Sequence, residues 1–256
     1  MMETEKIPGF SPSIYHSGPP LSEGVLPALF YFALAGDVSL NQEPFNQPVT
    51  LLKEQRLRIF SMTLPGHGPG LDNHHALPLW LKQLHAGHNI VNSFVQQCIE
   101  AIDFLIQQGY IDERQIAAAG LSRGAFMAAQ LGAADDRIKT ILGYAPLTRL
   151  DTVAEFKTLG HHPLIEELAL INNVERLIHK KVHFFIGNRD ILVETDACYA
   201  FIRALTEAAY THHHRSPPIE LTIYPSIGHK GHGTPPEIFR AGTEWLKEKL
   251  YQEKLS

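Results

Sequence analysis

Apolar runs alternate with helix-periodic segments along most of this chain, and that rhythm predicts its architecture. Residues 28–34, 57–64, 115–121, 138–145 and 182–186 are mostly apolar, and 220–224 reads as a last strand. Such continuous runs suit strands buried on both faces, as in a parallel sheet. The clearest helix is predicted over 89–108. There Val91, Phe94, Val95, Cys98, Ile99, Ile102, Leu105 and Ile106 recur on one face, and Gly109 supplies the stop. Further helices are predicted over 49–55, 77–84 and 195–210. A C-terminal helix follows, with Thr234 as N-cap, Pro235 in its first turn and Glu237 closing a capping box. Ile238, Ala241, Trp245 and Leu246 would form its buried face.

Residues 1–26 are rich in Pro, Gly and Ser and read as irregular wrapping with one edge strand at 13–17. The interval 147–181 is longer than a plain crossover needs. It holds helix-like pieces at 152–159, 163–168 and 174–179 and is expected to form a small lid. Strand–helix alternation predicts an α/β fold, a mostly parallel central sheet with helices on both faces. Nothing in 1–256 marks a domain boundary, so a single domain is expected.

One pentapeptide carries candidate chemistry. Gly120-Leu121-Ser122-Arg123-Gly124 has the form G-x-S-x-G, between an apolar run and a small-residue helix. That context puts the serine on a tight strand-to-helix turn, where glycines keep a Cβ from colliding with the neighbouring elements. Ligands gather at the C-terminal ends of parallel strands. The groups leaving those ends are Gly36-Asp37, His67, Ser122, Asp190, and His229 with His232. A serine, a carboxylate and a histidine in that chain order fit a nucleophile, an orienting acid and a base. Ser122, Asp190 and His229 are the expected triad, with His232 as the alternative base and Asp196 as a weaker alternative acid. The expected oxyanion donors are the backbone N–H groups of Arg123 and Asp37. His67 is expected to stabilise its loop.

Composition narrows the partners. The formal net charge is -5 and no long Lys/Arg cluster occurs, which argues against nucleic acid. No apolar run reaches the length of a membrane span, and the first residues lack the pattern of a signal peptide. A cytoplasmic protein without membrane partners is expected. Cys98 and Cys198 fall in helix-like apolar patterns and are expected to be buried thiols. The fifteen histidines include His85-x-x-His88, His229-x-x-His232 and a loop with His67, Asp72, His74 and His75. None follows a zinc-hydrolase motif, Pro69 standing where the loop would need a second histidine. No metal and no organic cofactor are expected.

Taken together, Gly120 to Gly124, Gly187-Asn188-Arg189-Asp190, Tyr224 to His229 and Leu64-Pro65-Gly66-His67-Gly68 give the chain a named resemblance. Over about residues 25–250 it resembles an α/β hydrolase, close to the single-domain dienelactone hydrolases and prolyl oligopeptidase-like serine hydrolases. The resemblance implies the fold, the triad and acyl hydrolysis through an acyl-enzyme, with a small ester or related acyl compound as substrate. Ala35-Gly36 stands where the family usually has His-Gly. A non-catalytic ligand-binding protein of the same fold, a peptidase and a metal-dependent hydrolase are the alternatives. The 65–88 loop and the 147–181 interval are expected to set specificity.

Overall fold

The computed structural model describes residues 4–68, 70–157 and 161–251. Its strands are β1 Glu5–Lys6, β2 Ile14–Ser17, β3 Leu26–Phe32, β4 Arg58–Met62, β5 Ile111–Leu121, β6 Ile138–Tyr144, β7 Lys181–Gly187 and β8 Ile219–Tyr224. Its α-helices are α1 Gly36–Asn41, α2 Gln47–Leu52, α3 Ala76–His85, α4 Ile90–Gln107, α5 Arg123–Ala134, α6 Pro163–Leu168, α7 Thr195–Thr211 and α8 Pro236–Tyr251. The strands form one eight-stranded sheet in the order β1-β2-β4-β3-β5-β6-β7-β8. The β1–β2 and β2–β4 pairings are antiparallel; all the others are parallel. The chain steps from β3 outward to β4, then crosses back to β5 on the other side of β3. That reversal places a crevice at the C-terminal ends of β3 and β5.

The two-residue period of a strand divides the core into two layers. In β3, Ala28, Phe30 and Phe32 face the layer built by α3, α4, α5, α6 and α7. Leu29, Tyr31 and Ala33 face the layer built by α1, α2 and α8. Both faces of β3 are therefore buried, as its unbroken apolar run requires. The amphipathic α4 begins at the Asn89 cap, whose side chain accepts the Asn92 N–H at 3.0 Å. The guanidinium of Arg58, fully buried, donates to the carbonyls of Pro19, Pro20, Gly24 and Tyr110. One β4 side chain thus ties the irregular 18–25 segment to the body of the sheet.

Several expectations shift. The strand β1 had no legible pattern, because two residues carry no period. The C-terminal helix starts one residue later than expected: the Pro235 carbonyl accepts from the N–H groups of Ile238 and Phe239 at 3.0 and 3.3 Å. Thr234 is therefore no cap, and its hydroxyl lies 3.4 Å from the Tyr224 hydroxyl. Ala241 is exposed, and Gly242 is buried in its place. A Cβ on Gly242 would come within 2.4 Å of the Tyr144 hydroxyl.

The 147–181 interval contributes residues to the core. Leu147, Leu150, Phe156, Ile165, Leu168 and Leu170 are buried in the α4/α5 layer. The piece expected over 174–179 is instead the end of a 3-10 helix, Leu170–Arg176. The piece expected over 152–159 is a 3-10 turn, Leu150–Thr152, followed by turns, and residues 158–159 lie outside the described residues. Cys98 and Cys198 are buried free thiols, each pushed well up from the ordinary thiol range by burial. Among the described residues, no helix is long and apolar enough to cross a membrane.

Candidate active site

Ser122 stands between β5 and α5 at φ 57° and ψ -119°, a conformation that costs a non-glycine residue free energy. Its surroundings impose it. The Ser122 N–H donates to the Tyr144 carbonyl at 2.8 Å, and its carbonyl accepts from Ala125, Phe126 and Leu147. The flanking glycines are sterically required. A Cβ on Gly120 would lie 2.2 Å from the Gly124 carbonyl carbon, and one on Gly124 would lie 2.0 Å from the Phe32 carbonyl oxygen. The sequence pattern therefore encodes contacts among β3, β5 and α5 that lift the hydroxyl out of the sheet.

Asp190 leaves the end of β7, and its side chain has no exposed surface. The N–H groups of Leu192 and Val193 donate to its Oδ1 at 3.0 and 3.2 Å. Its own N–H donates to Thr195 Oγ1 at 3.0 Å, and that hydroxyl donates to the Gly187 carbonyl at 2.6 Å. Its Oδ2 is thereby aimed at a single partner. That partner is His232, with Nδ1 2.6 Å from Oδ2 and Nε2 2.9 Å from Ser122 Oγ. An ionised carboxylate only accepts, so the neutral imidazole carries its proton on Nδ1 and presents Nε2 as acceptor to the serine hydroxyl.

The preferred base of the sequence reading is thus corrected: the structure brings His232, not His229, to Ser122. The path between β8 and α8 explains it. Ile227 and Gly233 pair as an antiparallel bridge, with the Gly233 N–H on the Ile227 carbonyl at 2.8 Å. Between them a 3-10 turn, His229–Gly231, coils outward and leaves His229 exposed. Gly231, at φ 80°, packs on the Arg189 carbonyl, where a Cβ would sit at 2.1 Å. The next residue, His232, then faces inward. Two polar side chains fix this loop to the Asp190 turn. Asn188 Oδ1 accepts the Ser226 N–H at 3.0 Å, and Ser226 Oγ accepts the Arg189 N–H at 2.7 Å. Both stand in stretches that carry the resemblance but had no role assigned to them, though Asn and Ser just past strand ends are the residues that bond neighbouring backbone in turns.

The second oxyanion donor is also corrected. Asp37 is exposed on the first turn of α1 and does not line the cavity beside Ser122. The chain enters α1 directly after the Ala35 cap, which carries Asp37 away from the sheet end. Ala33 and Leu34 line the cavity instead, and their N–H groups donate to Ser39 Oγ at 3.1 and 3.0 Å. Arg123 heads α5, where N–H groups lie outside the helical ladder. Its guanidinium Nη1 lies 3.4 Å from His67 Nε2. Burial lowers the Arg123 pKa, and the Glu155 carboxylate partly offsets that. His67 is buried, and its Nδ1 contacts the Pro65 carbonyl at 3.0 Å. Burial first and Arg123 second push its pKa down to about 4. His67 is therefore neutral at pH 7 and props the Arg123 side chain.

The cavity beside Ser122 has a volume of about 280 Å³. Ala33, Leu34, Pro44, Phe45, Gly233, Thr234 and Phe239 are among the residues that line it. None of the described residues of 65–88 or 147–181 lines it. These wall residues carried no sequence signal, because apolar positions next to loops look alike whether they face core or cavity. Among the described residues no three His, Cys, Asp or Glu side chains gather to hold a metal ion.

Comparison with known proteins follows the same lines. The search of curated proteins returned no significant match. TT1662 from Thermus thermophilus superposes with a TM-score of 0.72 at 15% identity, covering 98% of this chain and 99% of that one. A cold-adapted esterase from an Arctic intertidal metagenomic library gives 0.64 at 19% identity, covering 96% and 92%. Prolyl oligopeptidase B from Galerina marginata gives 0.71 at 14% identity over 98% of this chain, which spans only 37% of the oligopeptidase's length. These likenesses establish the α/β-hydrolase fold. Residues 88–253, well over half of the chain, match the prolyl oligopeptidase family, and the chain belongs to that family of serine hydrolases.

Proposed function

We propose that this protein is a serine hydrolase that cleaves small esters or related acyl compounds, with Ser122 as nucleophile, His232 as base and Asp190 as its orienting acid. The observation that carries this reading is the unbroken relay from Asp190 Oδ2 through His232 to Ser122 Oγ, at 2.6 and 2.9 Å. Ser122 Oγ attacks the carbonyl carbon as His232 Nε2 takes its proton. The resulting imidazolium lies against the Asp190 carboxylate. The carbonyl π-electrons move to oxygen, where the Arg123 N–H is the supporting donor. Collapse expels the leaving oxygen, which takes the proton from Nε2, and the acyl group stays on Oγ. Water then repeats the sequence, its proton going to His232, and the acid is released.

A peptidase is the second reading, favoured by the likeness to an oligopeptidase. The small cavity weighs toward esters, since it has little room for a flanking peptide. Residues 1–256 form one domain in this proposal. A cytoplasmic location fits two buried free thiols. The test is treatment with a fluorophosphonate and mapping of the adduct by mass spectrometry. Labelling of Ser122, abolished in Ser122→Ala, is the expected result. A folded protein left unlabelled would overturn hydrolysis and favour a binding role.

A further inference from the structure

We infer that the β8 edge of the sheet binds a second copy of this chain, the two β8 strands pairing antiparallel about a two-fold axis at Leu221, so that the two sheets continue as one. None of residues 219–223 lines the cavity beside Ser122.

The two edges of the sheet are finished differently. At one edge lies β1, two residues long, with Glu5 and Lys6 both exposed. A short, charged edge strand gives another chain little to pair with, and natural sheets guard their edges in this way. At the other edge lies β8, six residues long and paired only with β7. The one charged side chain of β8 is Glu220, and its Oε1 accepts from Trp245 Nε1 at 2.6 Å. Ile223 is 49% exposed although it is part of a strand.

Two backbone bonds fix which groups β8 turns outward. The Val182 N–H donates to the Pro218 carbonyl at 2.9 Å, and the Asn188 N–H donates to the Tyr224 carbonyl at 2.7 Å. In a parallel pair, alternate residues turn their N–H and C=O toward the same neighbour. Pro218, Glu220, Thr222 and Tyr224 therefore serve β7, and Ile219, Leu221 and Ile223 point the other way. The Ile219 N–H donates to the Pro217 carbonyl at 2.8 Å. Among the described residues, no hydrogen bond reaches the N–H or C=O of Leu221 or Ile223.

This alternation selects one register. Antiparallel strands exchange both bonds between residues directly opposite each other. Pairing β8 with its own copy through 219, 221 and 223 sets Leu221 opposite Leu221, and Ile219 opposite Ile223. Registers centred on Glu220 or Thr222 call on groups that β7 already holds. Registers centred on Ile219 or Ile223 set Leu221 against Pro217 or Pro225, which have no N–H to give. The side chains suit the same register. Ile219 and Leu221 pack on the core of the α7 layer, and the strand period puts Ile223 on that face too. Every cross-strand pair there is apolar. On the other face Glu220 meets Thr222, so no like charges oppose.

The helix α7 widens the surface. The 3-10 helix Leu170–Arg176 packs on both α5 and α7, and Glu175 meets His212 of the turn after α7 at 2.6 Å. Tyr199, Arg203 and Tyr210 are exposed about half a turn round the helix from that contact, on the flank toward the β8 edge.

Sedimentation velocity over a concentration series is expected to show a wild-type dimer. Ile223→Lys should raise the dissociation constant about a hundredfold, tenfold from each of the two symmetric copies. Ile223→Pro removes an N–H that β7 does not use and should do the same. Val25→Lys, at another exposed apolar position away from β8, should leave the dimer unchanged. Circular dichroism and the melting temperature establish that each variant is folded. Cysteine cross-linking reads the register. Under oxidation Leu221→Cys should form a disulfide-linked dimer, because opposed residues at the axis lie about 5.5 Å apart, within reach of a disulfide. Ile223→Cys should not, its two copies lying about 13 Å apart. Cys98 and Cys198 are buried and do not compete. The proposal is overturned if wild type stays monomeric throughout, or if folded Ile223→Lys and Ile223→Pro dimerise as wild type does. It is also overturned if Val25→Lys weakens the dimer as much as they do, or if Ile223→Cys cross-links and Leu221→Cys does not.

Discussion

The two loops that meet at the candidate site are built on opposite plans. The turn from β5 to α5 is short, and its geometry comes from contacts that its own glycines permit. Ser122 is held by backbone bonds and by the close approach of Gly124 to the Phe32 carbonyl. The connection from β8 to α8 is longer and owes its shape to groups distant in sequence. Asn188, Arg189 and Ile191 hold it from the neighbouring strand end, and the Tyr224 hydroxyl donates to the Gly233 carbonyl at 3.1 Å. A nucleophile in a strained conformation needs a rigid local seat. A base needs only to be aimed, and side-chain bonds between loops suffice for that.

Substitutions can break this comparison. Ser122→Ala should remove fluorophosphonate labelling and lower ester kcat by about a millionfold, as loss of a serine nucleophile does elsewhere. His232→Ala should cost on the order of 10⁴-fold or more in kcat, while His229→Ala, at an exposed position, should stay within about twofold. Equal losses from the two histidine variants, measured on the same ester, would mean that the loop rearranges to use either ring. Gly124→Ala probes the rigid turn. It should lower stability by about 1–3 kcal/mol through collision with backbone, read by chemical denaturation. Asn188→Ala probes the borrowed loop. It should lower kcat about tenfold with little change in melting temperature, because it loosens the aim of His232 and leaves the core intact.

The smallest effect is one of pH. His16, His67 and His183 are buried, and burial pushes each down to about 4. Arg58 adds to the shift of His16, and Arg123 to that of His67. The unfolded chain binds protons at these sites near pH 6.5, above the folded values, so it holds more protons between about pH 4 and 6.5. Stability is therefore complete above pH 6.5 and falls as pH drops toward 4. Urea midpoints at pH 7, 5.5 and 4.5 check this. His16→Phe, next to the Phe60 ring, should flatten the decline.

The sequence by itself determined what local physics controls. Apolar runs placed β3 to β7 to within a few residues, because a strand buried on both faces cannot hide its composition. The amphipathic stripe and Asn89 cap placed α4. The glycines around Ser122 announced the nucleophile turn, since their requirement lies within five residues of chain. Asp190 was legible as a carboxylate just past a strand end. Tertiary structure alone chose His232 over His229, because the choice depends on how Gly231 packs against the Arg189 carbonyl and how Asn188 grips Ser226. It alone turned Asp37 outward, buried Leu147, Phe156 and Leu168 of the 147–181 interval, and set Phe45 and Phe239 around the cavity. Each of these outcomes rests on contacts between segments far apart in the chain, where no sequence period or spacing carries the geometry.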